Sequence, residues 1–107
     1  MSNWKNLERS VAKYFGGERV PITGRIRGSA PDVDHDVLSF EVKFREKLPA
    51  WMIDAMAQAV ASMKDKDMIP TVVYKEKQKS LKNSYVMLRA RDFKHIMETY
   101  YERSKQD

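Results

Sequence analysis

Hydrophobic and polar positions along this chain alternate with two different periods, and the switches between them mark out its elements. Trp4, Leu7, Val11, Tyr14 and Phe15 recur at helical spacing and predict an amphipathic helix over residues 4–15, with Asn3 as its N-cap and Gly16-Gly17 as its stop. Residues 18–24 read as a strand with Val20 and Ile22 on one face, and Pro21 marks an edge or an irregular start. Residues 25–30 form a loop, after which a hairpin is expected over 31–44. It consists of a short extended segment at Pro31–Val33, a turn at Asp34-His35-Asp36 and a strand at Val37–Phe44. In that strand Leu38, Phe40 and Val42 face one way, toward a core that also takes Phe44, while Ser39, Glu41 and Lys43 face the other. A second helix is predicted over about 50–64, where Ala55, Ala57, Ala59 and Ala61 favour helix. A buried strand at Thr71–Tyr74, a basic turn at Lys75–Asn83 and a strand at Tyr85–Leu88 follow. A last helix over about 93–104, capped by Asp92, closes the chain.

The order helix, three strands, helix, two strands, helix predicts an α/β fold in which a mixed central sheet of about five strands is flanked by helices. With 107 residues and no internal repeat, the chain is expected to be a single domain, 1–107. Charged residues make up 33%, but both signs are spread along the chain and 42% is hydrophobic, a balance that suits a folded domain. The chain has no cysteine, so disulfides and thiolate metal sites are excluded and a reducing cytosol suits it. No apolar run approaches the roughly 20 residues needed to span a bilayer. The first residues, Met1 to Lys5, do not resemble a signal peptide. A cytoplasmic location and no membrane partner are expected.

Net charge is +5, which permits a polyanionic partner without requiring one. Chemistry is suggested more sharply by the carboxylates of the hairpin. Glu41 and Lys43 stand two apart on a strand, so both side chains leave the same face. Asp32, on the partner strand, is placed to converge on them. Two adjacent carboxylates repel, and a hard divalent cation relieves the repulsion; Mg²⁺ (or Mn²⁺) would take oxygens from Asp32, Glu41 and the Val42 carbonyl. Lys43 would then orient a water or neutralise charge on a phosphate. The competing reading is an exposed Glu41–Lys43 ion pair on a solvated strand with Asp32 as a turn residue. His35 sits in the turn, where a histidine is usually exposed and idle; a general-base role is the alternative.

Pro31-Asp32 followed by Glu41-Val42-Lys43 resembles the PD-(D/E)XK motif of the restriction-endonuclease-like superfamily, and the element order matches that fold's core along nearly the whole chain. Within the superfamily the chain looks most like the small Holliday junction resolvases of archaea and their phage-encoded relatives. Residues Glu18-Arg19-Val20-Pro21-Ile22-Thr23-Gly24-Arg25 and Gly28-Ser29-Ala30-Pro31-Asp32 resemble the phage branch. The resemblance implies a Mg²⁺-dependent endonuclease acting in the cytoplasm of a host cell. It also implies that Glu8 on the first helix completes the metal site, that Ser29 is the serine preceding the metal-binding aspartate, and that Gln58 on the second helix assists catalysis.

Arg25 and Arg27 adjoin the proposed site, Arg45 and Lys47 follow it, and Lys75, Lys77 and Lys79 share a face if their strand extends that far, with Lys82 beyond. Cations of this kind hold phosphate without reading sequence; an edge protected from aggregation by lysine explains the Lys75–Lys82 run equally well. No zinc, recognition-helix or RNA-binding motif is present. That favours shape-directed binding over base readout, which fits a four-way junction without singling it out; symmetric cleavage of a junction needs two sites and hence a homodimer. Trp51, Met52, Met56, Tyr100 and Tyr101 are interface candidates, or ordinary core residues. The alternatives are a nuclease acting on other branched or nicked DNA and a non-catalytic DNA-binding module of the same fold.

Overall fold

A computed structural model describes residues 3–19 and 32–106. The protein is a small mixed α/β chain in which three helices accompany two two-stranded antiparallel sheets. It divides into two compact units, Met1–Glu46 and Lys47–Asp107.

The first unit opens with helix α1, Asn3–Phe15, so Asn3 is the first helical residue rather than the cap before it. The helix ends where its sequence says it must. Gly16 takes φ +80, which a residue with a Cβ rarely adopts, and Gly17 N–H reaches back to Ala12 C=O at 2.7 Å. That six-to-one bond closes a Schellman turn and satisfies a carbonyl the helix would otherwise orphan. The turn delivers the chain into β1, Glu18–Arg19, which pairs with β2, Val33–Asp34, in the register Glu18↔Asp34 and Arg19↔Val33. The approach is tight: a Cβ on Gly17 would collide with the Asp34 carbonyl oxygen and come within 2.8 Å of Val33 Cγ1.

The expected hairpin exists in reduced form. Val33 bridges Phe40 antiparallel, and Asp32 N–H donates to Phe40 C=O at 3.1 Å, but among the described residues no ladder continues through Val37–Phe44. Exposure still alternates as predicted from Leu38 to Lys43, with Leu38, Phe40 and Val42 half-buried and Ser39, Glu41 and Lys43 exposed. Phe44 breaks the pattern: it is exposed, not in the core. Around fully buried Val33 lie Ala12 and the rings of Phe15 and Phe40, whose centroids are 5.4 Å apart.

The second unit runs from helix α2, Ala50–Ala61, through β3, Val72–Tyr74, a 3₁₀ turn at Leu81–Asn83 and β4, Tyr85–Met87, to helix α3, Ala90–Gln106. Helix α2 stops three residues before the predicted end. Ser62 turns its hydroxyl back onto the Gln58 carbonyl at 2.9 Å, and Met63 N–H tightens onto Val60 C=O. Strands β3 and β4 pair as Val72↔Met87, Val73↔Val86 and Tyr74↔Tyr85. Val73 is exposed, so β3 is not the buried strand its β-branched run suggested. Trp51 from α2 meets Tyr74 edge-on at 5.0 Å, fixing the helix against the hairpin. Helix α3 begins at Ala90, which places Asp92 inside its first turn, held by Arg89 Nε at 2.7 Å, rather than at the cap. An acid there still complements the helix dipole.

Among the described residues the strands form these two short sheets and not one central sheet of about five strands. Residues 20–24 of the expected strand 18–24 lie outside the described residues, and among the described residues Val37–Phe44 pairs only through the Phe40 bridge to Val33. No helix among the described residues is long and apolar enough to cross a membrane.

Candidate functional site

The first unit buries four of its described residues, and two of them are acids: Ala12 and Val33 are joined by Glu8 and Asp32, at 4% and 7% exposure. Burying a carboxylate is costly without strong partners, so these two positions carry a reason other than packing.

Asp32 lies at the start of β2, where its backbone is tied to Phe40. Its Oδ2 accepts the Val42 N–H at 2.5 Å, a charge-assisted bond to the peptide that joins Glu41 to Val42. The aspartate and the Glu41-Val42-Lys43 strip, ten residues apart in sequence, are thus fastened together. Glu41 and Lys43 leave the same face as expected, and Lys43 Nζ stands 3.3 Å from Glu41 Oε1. Both side chains are about two-thirds exposed, at 65% and 67%, so this part of the arrangement has the form of a surface ion pair.

Glu8, on the inner face of α1, is engaged by a residue the sequence did not single out. Arg19 Nε donates to Glu8 Oε1 at 2.9 Å, with both side chains largely buried at 15% and 6% exposure. The Arg19 guanidinium also lies 5.8 Å from the centroid of the Trp4 ring, a cation–π contact. The sequence signal for this pair was weak: Arg19 was one of many cations, and nothing local marks a residue that meets an acid eleven positions earlier.

His35 is neither exposed nor idle. Its Nε2 lies 3.0 Å from the Phe15 carbonyl, and its Nδ1 accepts the N–H groups of Val37 and Leu38, each at 3.1 Å. Its ring also meets Phe40 edge-on at 5.9 Å. Nδ1 can accept only with the proton on Nε2, so the imidazole is a neutral staple between the end of α1 and the hairpin turn. A general-base role would remove it from that work.

Among the described residues no three His, Cys, Asp or Glu side chains form a group placed to hold a metal ion. Asp32 meets the Glu41–Val42 peptide through its N–H, so the carboxylate oxygens that this strip offers a hard cation are those of Asp32 and Glu41, the latter paired with Lys43. Mg²⁺ needs no more than one or two carboxylates beside its waters, so this set fits such an ion by its chemistry. Glu8 is paired with Arg19.

Arg25, Arg27 and Ser29 lie outside the described residues. Arg45 is exposed at the end of the first unit. In the second unit Gln58 is exposed on α2, and Lys75 and Lys77 are exposed in the turn after β3. The strand ends at Tyr74, so Lys75, Lys77 and Lys79 do not form the shared strand face that alternation suggested. Trp51 and Tyr100 are exposed at 61% and 52%. In comparisons with known proteins, no family model, no curated protein and no solved structure matches the chain.

Proposed function

We propose that this chain is a metal-dependent, structure-selective DNA endonuclease of the PD-(D/E)XK type, a Holliday junction resolvase that hydrolyses phosphodiesters in four-way junctions as a homodimer. Its fold on this reading is the restriction-endonuclease-like core with a mixed sheet of about five strands. The observation that carries the proposal is the seat of Asp32, a buried carboxylate fastened to the backbone between Glu41 and Val42, with Lys43 next along the strip. A structural turn aspartate has no need of burial, and a solvated Glu-X-Lys strip has no need of a carboxylate locked beneath it.

Asp32, Glu41 and the Val42 carbonyl would hold Mg²⁺ or Mn²⁺, with Glu8 as a further donor. Such an ion, when bound, acidifies a water and neutralises charge at the scissile phosphate. The rest falls to the chain itself. Asp32 is held in orientation by the Val42 amide. Lys43 exchanges its surface contact with Glu41 for the attacking water or a non-bridging phosphate oxygen. Arg25, Arg27, Ser29 and Arg45 would fasten neighbouring phosphates, with Lys75 and Lys77 adding sequence-independent attraction.

Cleavage of four-way junctions, flaps, nicked duplex and linear duplex, with and without Mg²⁺, tests the reading. Metal-dependent, symmetric cutting of the junction well ahead of linear duplex is the expected result. Equal rates on junction and linear DNA would end the resolvase assignment, and tight binding with no cutting would leave a DNA-binding module.

A further inference from the structure

Between β3 and β4, residues 75–82 carry Lys75, Lys77, Lys79 and Lys82 against the single acid Glu76. The connection is braced by its own backbone. Lys79 N–H donates to Glu76 C=O at 3.3 Å, and Gln78 takes φ 66, a left-handed turn position. Ser84 turns back twice, its N–H to Leu81 C=O at 3.0 Å and its hydroxyl to Ser80 C=O at 3.3 Å. The loop so held walls an open cleft of about 580 Å³, lined by Glu76, Lys79, Lys82, Asn83, Ser84 and Tyr85. Among the described residues the ammonium groups of Lys79 and Lys82 have no ion pair or hydrogen bond. The Tyr85 ring is 70% exposed, and it also lines a second cleft, an apolar one of about 710 Å³ with Val86, Leu88 and Phe93 among its walls. One aromatic ring thus joins a cationic cleft to an apolar one.

We propose that the joined clefts seat an unpaired nucleic-acid strand, with Lys79 and Lys82 holding its phosphates and Tyr85 stacking a base that the apolar cleft covers. A nucleotide has the same division as this surface, an anionic phosphate beside a planar, largely apolar base. The two lysines outweigh Glu76, and the Asn83 amide and Tyr85 hydroxyl add donors for a phosphate oxygen or a base edge, while the Ser84 hydroxyl is already given to Ser80. Duplex DNA could use the lysines alone. The exposed ring with apolar space beside it serves only a base free of its partner strand. Cations along the backbone and an aromatic platform for the bases are how single strands are held without reading sequence. This inference does not rest on the nuclease reading: the clefts lie wholly in the second unit and need no metal ion.

The test is fluorescence anisotropy of a labelled DNA single strand of about 16 nucleotides, and of the same strand annealed to its complement, with the full chain in EDTA over a range of salt. The single strand is expected to bind at least about fivefold more tightly than the duplex, the value of one stacked base. Lys79→Gln/Lys82→Gln is expected to weaken single-strand binding at least about tenfold and to lower the slope of log affinity against log salt by about 1.4, two phosphates at about 0.7 each. Lys64→Gln/Lys66→Gln removes the same charge from exposed positions outside the clefts and is expected to stay within about threefold of the wild type. Tyr85→Ala loses at least about fivefold with its salt slope unchanged, and Tyr85→Phe stays within about twofold. All these positions are exposed, and circular dichroism checks that each variant is folded. Equal binding of single strand and duplex, an unchanged salt slope in Lys79→Gln/Lys82→Gln, full affinity in Tyr85→Ala, or an equal loss in the Lys64→Gln/Lys66→Gln control would each overturn the proposal. So would displacement of the strand by polyglutamate or phosphatidylserine vesicles, at equal charge, as readily as by unlabelled strand. Junction cleavage in Mg²⁺ is scored separately, so the nuclease reading stands or falls on its own.

Discussion

Replacing Gly17 by alanine asks whether the close seating of the α1 turn on β2 is real and whether it matters to the site. A methyl there would collide with the Asp34 carbonyl oxygen and approach Val33 Cγ1 to 2.8 Å. The first partner is backbone, so the strain cannot be relieved by turning a side chain. Either β2 moves or the Schellman turn opens. Overpacking of this kind costs about 1–3 kcal/mol, and partial loss of the 2.7 Å Gly17–Ala12 bond adds about 1 kcal/mol. Reduced freedom of the unfolded chain returns about 0.4–1 kcal/mol. The net is a loss of about 2–3 kcal/mol, which for a chain of this size is a fall in Tm of roughly 10 °C or more. Gly16→Ala is the control. Nothing lies within 4 Å of its Cβ position, and it carries only the penalty of φ +80, about 1–2 kcal/mol before the same unfolded-state gain. Urea denaturation of both variants, read by tryptophan fluorescence and circular dichroism, gives the comparison. Gly17→Ala as stable as Gly16→Ala, or more so, would refute the packing argument. Because Asp32 adjoins Val33, Gly17→Ala is also expected to slow cleavage beyond its effect on the folded fraction.

Further outcomes follow from the same contacts. His35→Ala removes an acceptor for two amides and the partner of the Phe15 carbonyl and is expected to cost about 2–3 kcal/mol in chemical denaturation; a loss under about 0.5 kcal/mol would contradict the staple. Lys43→Met, at an exposed pair, should leave Tm within a few degrees of wild type while abolishing cleavage, and a large Tm loss would show a structural lysine instead. The Tyr74 hydroxyl is buried without a hydrogen-bond partner among the described residues, so Tyr74→Phe is expected to be neutral or to stabilise by up to about 1 kcal/mol; a clear destabilisation in urea would reveal a partner.

Among the described residues periodicity located the three α-helices and the strands at 72–74 and 85–87, since helical spacing and strand alternation are properties of neighbours in sequence. The residues that matter most inside the first unit were less legible. In α1 the stripe of Trp4, Leu7, Val11, Tyr14 and Phe15 marks the helix, yet the residues it buries are Glu8 and Ala12, while Trp4 and Tyr14 stay about 40% exposed, at 39% and 40%. A hydrophobic pattern does not point to a buried glutamate, because its partner Arg19 is eleven positions away and is brought near by the Gly16-Gly17 turn. His35 followed the same rule: a turn position suggests exposure, and the carbonyl and amides its ring nitrogens meet come from the end of α1 and the hairpin turn itself. Asp32, Glu41 and Lys43 were legible as a set because strand spacing fixes their faces. The contact that ties Asp32 in place, the Val42 amide, is backbone and leaves no mark in the sequence. Strand lengths were the poorest guide, as Phe44 shows: alternation extends through it, but among the described residues no strand pairs there and Phe44 is exposed.

The most direct test of the central claim, that Asp32 and Lys43 act at one reacting centre, is a cleavage-rate cycle on a four-way junction in Mg²⁺. It compares the wild type, Asp32→Asn, Lys43→Met and the double variant at equal folded concentration. Each single change is expected to slow cutting by at least about 100-fold, and the double variant to be no slower than the worse single, because groups that serve one step are not additive. Metal-dependent cutting by Asp32→Asn at the wild-type rate would contradict the account.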